Sequence, residues 1–168
     1  MTVPCTGPVI FAYDGTDTAA FAIEQASAQI GADRDAIVAC VWRPVDVCFT
    51  PVPGRRIRSS VAKDVERAAH ETAAAGVALA REFGFRACAR TIEAAPTWKG
   101  LIALADQWEC PLIVLGSRRH TGLFGNRTGS VAGATVSHFP RSVLVIRKPD
   151  DVASVPASTV ARWTGAQA

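Results

Sequence analysis

A glycine- and arginine-rich segment, residues 116–130, contains the residue types best suited to binding a ligand. It holds four glycines and three arginines between an apolar run and a short helical pattern. Glycines allow a backbone to approach a ligand closely, and the free amides at the start of a helix attract phosphate. The same composition also fits a long surface loop. On composition alone, a phosphate-binding loop and a solvated loop are both open.

Two further residues have a possible ligand role beside a structural one. Asp14 follows the first apolar run of the chain, in a strand-to-helix turn of the kind where ligands bind in α/β sheets. Aspartate is also a favoured N-cap, and in the helical pattern that follows Asp14 the other cap candidates are Thr16 and Asp17. Ser130, at the start of the last helical pattern, fits either an N-cap or a phosphate donor. For Asp14 the two roles are compatible.

The composition indicates one ordinary domain. The chain has 168 residues, 49% of them hydrophobic and 20% charged, which is enough for a core without disulfides or metal. The net charge of +3 is too small for a typical nucleic-acid-binding face. The five cysteines lack metal or redox spacing, and no signal peptide or membrane span is evident. We expect a cytoplasmic protein that binds neither nucleic acid nor a membrane.

The hydrophobic pattern places these candidates in an α/β fold. Short apolar runs rich in β-branched residues predict buried strands, with helices between them. The predicted strands cover residues 8–13, 36–42, 86–92, 112–115 and 142–146, and the predicted helices cover residues 16–30, 59–83, 96–108 and 130–138. This alternation predicts a single doubly wound, five-stranded parallel sheet with helices on both faces. Trp98 and Trp108 are expected on the buried side of the third helix.

The order and spacing of the motifs resemble the universal stress protein family. Similar segments are VIFAYDGT at residues 9–16, LIVLGSR at 112–118, GSVA at 129–132 and PRSVLVIR at 140–147. Nucleotide-binding members carry G-x2-G-x9-G-(S/T) after the fourth strand, and Gly116, Gly129 and Ser130 fit that pattern. The resemblance implies a Rossmann-like, adenine nucleotide alpha hydrolase-like fold with strand order 3-2-1-4-5. We expect this domain at residues 1–148 and a flexible tail at 149–168.

The resemblance implies that the chain binds an adenine nucleotide. The expected ligand is ATP, with AMP, another adenine nucleotide and an accompanying Mg²⁺ as open alternatives. By resemblance, Asp14 lies near the ribose and adenine, and Val41 contacts the adenine through its backbone. The implied site residues are Ala12, Asp14, Val41, Leu115, Gly116, Arg118, Arg119, Gly129, Ser130 and Val131. No general base, nucleophile or metal cluster adjoins the loop, so we expect no enzyme, and at most slow ATP hydrolysis.

Arg119 departs from the family pattern because it occupies the second glycine position. Its side chain can block the approach of a triphosphate, or its guanidinium can hold a phosphate directly. The cluster of Arg118, Arg119 and Arg127 favours the second alternative. Under the first, the protein acts through dimerisation and protein–protein contacts without a nucleotide.

The last apolar run predicts a homodimer. Val143, Leu144, Val145 and Ile146 are consecutive, and an edge strand has free backbone groups that can pair with a second copy. The resemblance implies dimerisation through the same strand.

Overall fold

The computed structural model describes residues 7–43, 58–117 and 131–147, with the backbone alone at 58–62. The strands are β1 Val9–Ala12, β2 Asp35–Trp42, β3 Arg86–Glu93, β4 Leu112–Ser117 and β5 Ser142–Arg147, and the helices are α1 Asp17–Ile30, α2 Arg58–Glu82, α3 Thr97–Gln107 and α4 Val131–His138. Each boundary lies within two residues of the predicted one. Over the described ranges, no helix is long and apolar enough to cross a membrane.

The five strands form one parallel sheet, as predicted. Their order is β3-β2-β1-β4-β5, which confirms the order implied by the family resemblance. The order reverses at β1, which pairs with β2 on one side and with β4 on the other. In sheets of this kind a crevice forms at the carboxyl ends of the strands next to the reversal. A ligand site in this fold is therefore expected at the carboxyl ends of β1, β2 and β4.

Apolar side chains cover both faces of the sheet, which explains why the strands read as unbroken apolar runs. Val9 and Phe11 of β1 belong to a core cluster that includes residues of α1 and α2. Ile10, on the opposite face, belongs to a second cluster that includes residues of α3 and α4. Phe11 packs edge-on against Phe85, with ring centroids 4.9 Å apart. The two layers of helices hold the central strand rigidly between them.

At the β3 edge of the sheet, arginine side chains bind outward-facing backbone carbonyls. On β3, the Ala87 carbonyl accepts hydrogen bonds from Nε and Nη2 of Arg81 at 3.2 and 2.9 Å. The next outward carbonyl, that of Ala89, accepts one from Nη1 of Arg90 at 2.7 Å. Arginine side chains thus occupy positions that a further strand would use.

The end of α3 departs from the prediction. The helix stops at Gln107, and Trp108 has the non-helical φ of −107°. The helical spacing that predicted burial therefore does not extend to Trp108, which is 39% exposed. The Arg90 guanidinium carbon, Cζ, lies over the Trp108 ring, 4.8 Å from the ring centroid. The predicted burial of Trp108 is wrong. Trp98 is half-buried and stacks on His138, with ring centroids 4.3 Å apart.

Gly76 of α2 sets the distance between this helix and the central strands. A Cβ at this position would lie 2.7 Å from Cδ1 of Tyr13 and 2.7 Å from Cγ1 of Val38. Alanine normally stabilises a helix by roughly 1 kcal/mol relative to glycine. Here we expect Gly76→Ala to lower the free energy of unfolding by about 1–3 kcal/mol, because overpacking outweighs helix propensity. Urea denaturation measures the change, and a midpoint at or above that of the wild type would contradict it.

Candidate functional site

A cavity of about 420 Å³ opens at the carboxyl ends of β1, β2 and β4, where the strand order reverses. This volume lies within the range of small-molecule pockets, about 300–1,000 Å³. Ala12, Ala39 and Leu115 contribute the strand ends that line it, and Leu101 of α3 and Ala132 of α4 line its side. Most of the described lining is apolar, which is typical of a site that binds a flat organic group.

Six of the ten residues that the sequence predicts for the site line this cavity. They are Ala12, Asp14, Val41, Leu115, Gly116 and Val131. The other four, Arg118, Arg119, Gly129 and Ser130, lie outside the described residues. The structure thus brings together predicted residues that are up to 119 positions apart in the chain, from Ala12 to Val131.

Three lining threonines were missed by sequence reasoning. Thr16 and Thr18 come from the start of α1, and Thr97 comes from the start of α3. Each follows a strand whose carboxyl end points toward this edge of the sheet. Their position in the first turn of a helix at that edge was the available signal, because such turns face the crevice.

Asp14 is held by hydrogen bonds from Thr16. Its Oδ1 accepts one from the Thr16 amide at 3.1 Å and one from the Thr16 hydroxyl at 2.7 Å. Between them, Gly15 has a φ of +79°, a conformation that glycine adopts without strain. The Thr16 hydroxyl accepts a hydrogen bond from the Ala19 amide at 3.3 Å. Thr16 is therefore the N-cap of α1, which confirms one of the predicted candidates. The alternatives in which Asp14 or Asp17 is the cap are wrong.

The backbone amide and carbonyl of Val41, which lines the cavity, have no hydrogen-bond partner on the neighbouring strand β1. The carbonyl of Ala39 points toward β1, since it accepts a hydrogen bond from the Tyr13 amide at 2.9 Å. Backbone groups two residues apart in a strand point to the same side, so the amide and carbonyl of Val41 also face β1. The pairing of β1 with β2 ends at Ala12 and Ala39. Among the described residues, none forms a hydrogen bond to these two groups of Val41.

Gly116 allows α1 to lie directly against the end of β4. A Cβ on Gly116 would lie 2.5 Å from the carbonyl oxygen of Thr18 and 3.0 Å from its Cγ2. The carbonyl belongs to the helix backbone and cannot rotate away. The packing of this chain thus requires a glycine here whether or not a ligand is present.

The described lining carries one charged side chain, that of Asp14. Burial raises the pKa of the Tyr13 phenol, and the negative charges of Asp14 and Asp17 raise it further. Burial also raises the pKa of the neighbouring Cys40 thiol, with a smaller contribution from Asp14. Both groups are therefore neutral at neutral pH. No cluster of three or more metal-ligating side chains occurs in the described ranges.

The comparison with protein families identifies the class of protein. The universal stress protein family model matches residues 6–147, which is most of the chain. The chain belongs to the universal stress protein family. A comparison with curated proteins finds no match.

Solved structures of this family share the fold. A family member from Burkholderia pseudomallei is 20% identical, with 86% of this chain and 98% of that chain covered and a TM-score of 0.64. A universal stress protein in complex with cAMP is 22% identical, with coverages of 84% and 97% and a TM-score of 0.60. One from Archaeoglobus fulgidus in complex with dAMP is 18% identical, with coverages of 84% and 98% and a TM-score of 0.57.

Gly116→Ala tests whether packing alone demands the glycine. Because the added methyl group would meet the Thr18 carbonyl, we expect the ligand-free protein to lose about 1–3 kcal/mol of unfolding free energy. Thermal unfolding in the absence of nucleotide measures this loss. Gly31→Ala is the contrasting variant, since a Cβ at Gly31 meets nothing within 4 Å and only its φ of +79° opposes the change. A ligand-free Gly116→Ala protein as stable as the wild type would contradict the packing argument.

Proposed function

We propose that this universal stress protein is a binding module for an adenine nucleotide and is not a dedicated enzyme. The observation that carries the proposal is the pairing of two recognition elements in one cavity. The amide and carbonyl of Val41, a residue of β2, face β1 without a ladder partner. The Asp14 carboxylate lies just beyond the end of β1 and lines the same cavity. Fold relatives in complex with cAMP and with dAMP support an adenine-containing ligand.

The adenine is proposed to lie at the apolar strand ends. An adenine edge carries hydrogen-bond donors and acceptors, and Val41 offers one amide and one carbonyl on the same side of its strand. The side chains of Ala39, Leu101 and Leu115 line the same space and suit the flat faces of a purine. Gly100 supports this arrangement, because a Cβ there would lie 3.1 Å from Cγ1 of Val41. Close packing of α3 thus fixes the end of β2.

The ribose is proposed to bind Asp14. Oδ1 of Asp14 is held by the two donors of Thr16, and neither of these bonds uses Oδ2. Ribose hydroxyls are donors that a carboxylate oxygen can accept. The capping arrangement of Thr16 thus orients the Asp14 carboxylate before the ligand arrives, which reduces the entropy lost on binding.

The phosphates are assigned to the segment that follows β4. The described lining contains no Lys or Arg, whereas the sequence after Ser117 continues with Arg118 and Arg119. We propose ATP as the ligand and a guanidinium–phosphate contact for Arg119, with AMP as the smaller alternative. Gly129 and Ser130 are proposed as phosphate donors on the basis of the family pattern.

Binding without efficient catalysis follows from the proposed chemistry of the site. Phosphoryl transfer needs a positioned water or base and stabilisation of the charge that develops on the phosphate. The described lining offers one carboxylate, whose Oδ1 is already occupied by Thr16, and no histidine, lysine or cysteine. Hydrolysis is therefore proposed to be at most slow.

A homodimer through β5 is proposed as the assembly. β5 is an edge strand, and Val143, Leu144 and Val145 are only half-buried in the single chain. The opposite edge, β3, has two carbonyls occupied by Arg81 and Arg90. Pairing of β5 with a second copy would cover apolar surface and satisfy the open backbone groups.

Asp14→Asn tests the nucleotide site. The change keeps the shape but removes the charge that accepts the ribose hydroxyls, so we expect affinity for ATP and AMP to fall about tenfold, or ~1.4 kcal/mol. Isothermal titration calorimetry measures the affinity. Asp17→Asn is the matched control, because Asp17 is an exposed residue of the same turn that does not line the cavity. Equal losses in both variants would reject Asp14 as a ribose ligand, and a wild type that binds no adenine nucleotide would favour the nucleotide-free alternative.

Val145→Lys tests the dimer. A charge placed in the middle of the β5 edge should prevent pairing, so we expect a dimeric wild type and a monomeric variant at micromolar concentration. Sedimentation velocity measures the mass, and circular dichroism checks that the variant is folded. Thr91→Lys makes the same kind of change on the β3 edge and should remain dimeric. A monomeric wild type would refute the proposed interface.

A further inference from the structure

Thr18 is a buried polar residue of α1 whose hydrogen-bonding groups have no partner in the described part of the chain. It is 8% exposed and lines the cavity. Within the described ranges, no group accepts a hydrogen bond from its amide or its hydroxyl. Polar groups at a cavity wall that have no protein partner are available for hydrogen bonds to a ligand.

The neighbouring groups in the same turn are already satisfied. The Ala19 amide donates to the Thr16 hydroxyl at 3.3 Å, and the Ala20 amide donates to the Thr16 carbonyl at 2.9 Å. Thr18 lies between the N-cap and these two residues. The capping of α1 therefore leaves the donors of Thr18 available.

The Thr18 hydroxyl retains accessible surface. In the described residues, no fully buried side-chain nitrogen or oxygen lacks a hydrogen-bond partner. The Thr18 hydroxyl has none, so it must reach accessible space, and the space that Thr18 lines is the cavity.

Packing against β4 fixes the direction of this hydroxyl. The Thr18 carbonyl oxygen and Cγ2 would lie 2.5 and 3.0 Å from a Cβ on Gly116, so the methyl group rests on the strand end. A β-branched side chain has few χ1 states in a helix. With the methyl group against Gly116, the hydroxyl is held in place before any ligand binds.

We infer that Thr18 binds the first phosphate of the nucleotide, the one attached to the ribose. Thr18 presents two donors at the N-terminus of a 14-residue helix, where the helix dipole favours negative charge. Phosphate oxygens are acceptors, whereas the ribose hydroxyls that Asp14 would bind act as donors. The backbone contact with Gly116 also places Thr18 beside the point where the chain leaves β4. This inference rests on the proposed function.

The test compares Thr18→Val with Thr18→Ser in titrations of AMP and of adenosine. Valine has nearly the same shape as threonine but no hydroxyl, and serine keeps the hydroxyl. We expect Thr18→Val to weaken AMP binding about tenfold and to change adenosine binding by less than about twofold. Thr18→Ser should bind AMP nearly as tightly as the wild type. Thr91→Val, the same change at a residue outside the cavity whose hydroxyl contacts His70, should leave AMP affinity unchanged.

A melting curve without ligand separates binding from folding. If the hydroxyl serves only the ligand, ligand-free Thr18→Val should melt at or above the wild-type temperature, because an unpartnered polar group is replaced by a methyl group. A lower melting temperature together with unchanged AMP affinity would assign Thr18 a structural role and overturn the inference. An equal loss for adenosine and AMP would overturn the phosphate assignment. A wild type that binds neither probe would instead refute the proposed function on which the inference rests.

Discussion

The short central strand β1 determines the geometry of the candidate site. β1 ends at Ala12, while its neighbours continue, β2 to Trp42 and β4 to Ser117. A strand that ends early between two longer ones leaves a gap at the edge of the sheet, and the backbone groups next to that gap have no ladder partner. In this chain the gap is the cavity, and the groups without a ladder partner belong to Val41. The early end follows from Asp14 and Gly15, where a positive φ turns the chain toward α1.

Helix α1 then closes the gap from one side. Thr16 caps the helix and holds Asp14, and the first turn lies against Gly116 without an intervening side chain. These contacts place a carboxylate acceptor and a set of unpartnered donors within one turn of backbone. Ribose hydroxyls are therefore proposed to bind the Asp14 carboxylate, which is an acceptor. Phosphate oxygens are proposed to bind Thr18, whose free groups are donors.

Much of the fold could be predicted from the sequence because the pattern is local. Apolar runs and helical spacing depend on neighbouring residues, and they gave the element bounds to within two residues. The strand order came from the family resemblance, since alternation alone is compatible with several orders. Trp108 was misplaced because helix α3 ends one residue before it, whereas the predicted helix extended to residue 108.

The site was only partly predictable. Asp14 and Val41 were predicted through the resemblance, and both line the cavity. The backbone of Val41 is left without a ladder partner by the end of a different strand, which a single segment does not reveal. Thr18 was missed because its burial and its lack of partners arise from contacts with β4. Thr16, and not Asp14, is the cap because the positive φ of Gly15 brings the carboxylate to Thr16 and leaves the Ala19 amide to the Thr16 hydroxyl.

The most direct test of this account is an experimental structure of the full chain crystallised with AMP. The account predicts the adenine edge hydrogen-bonded to the amide or carbonyl of Val41, with a ribose hydroxyl on the Asp14 carboxylate. AMP bound elsewhere on the molecule, or an adenine in the cavity that makes no hydrogen bond to Val41, would contradict the claim that the early end of β1 creates the nucleotide site.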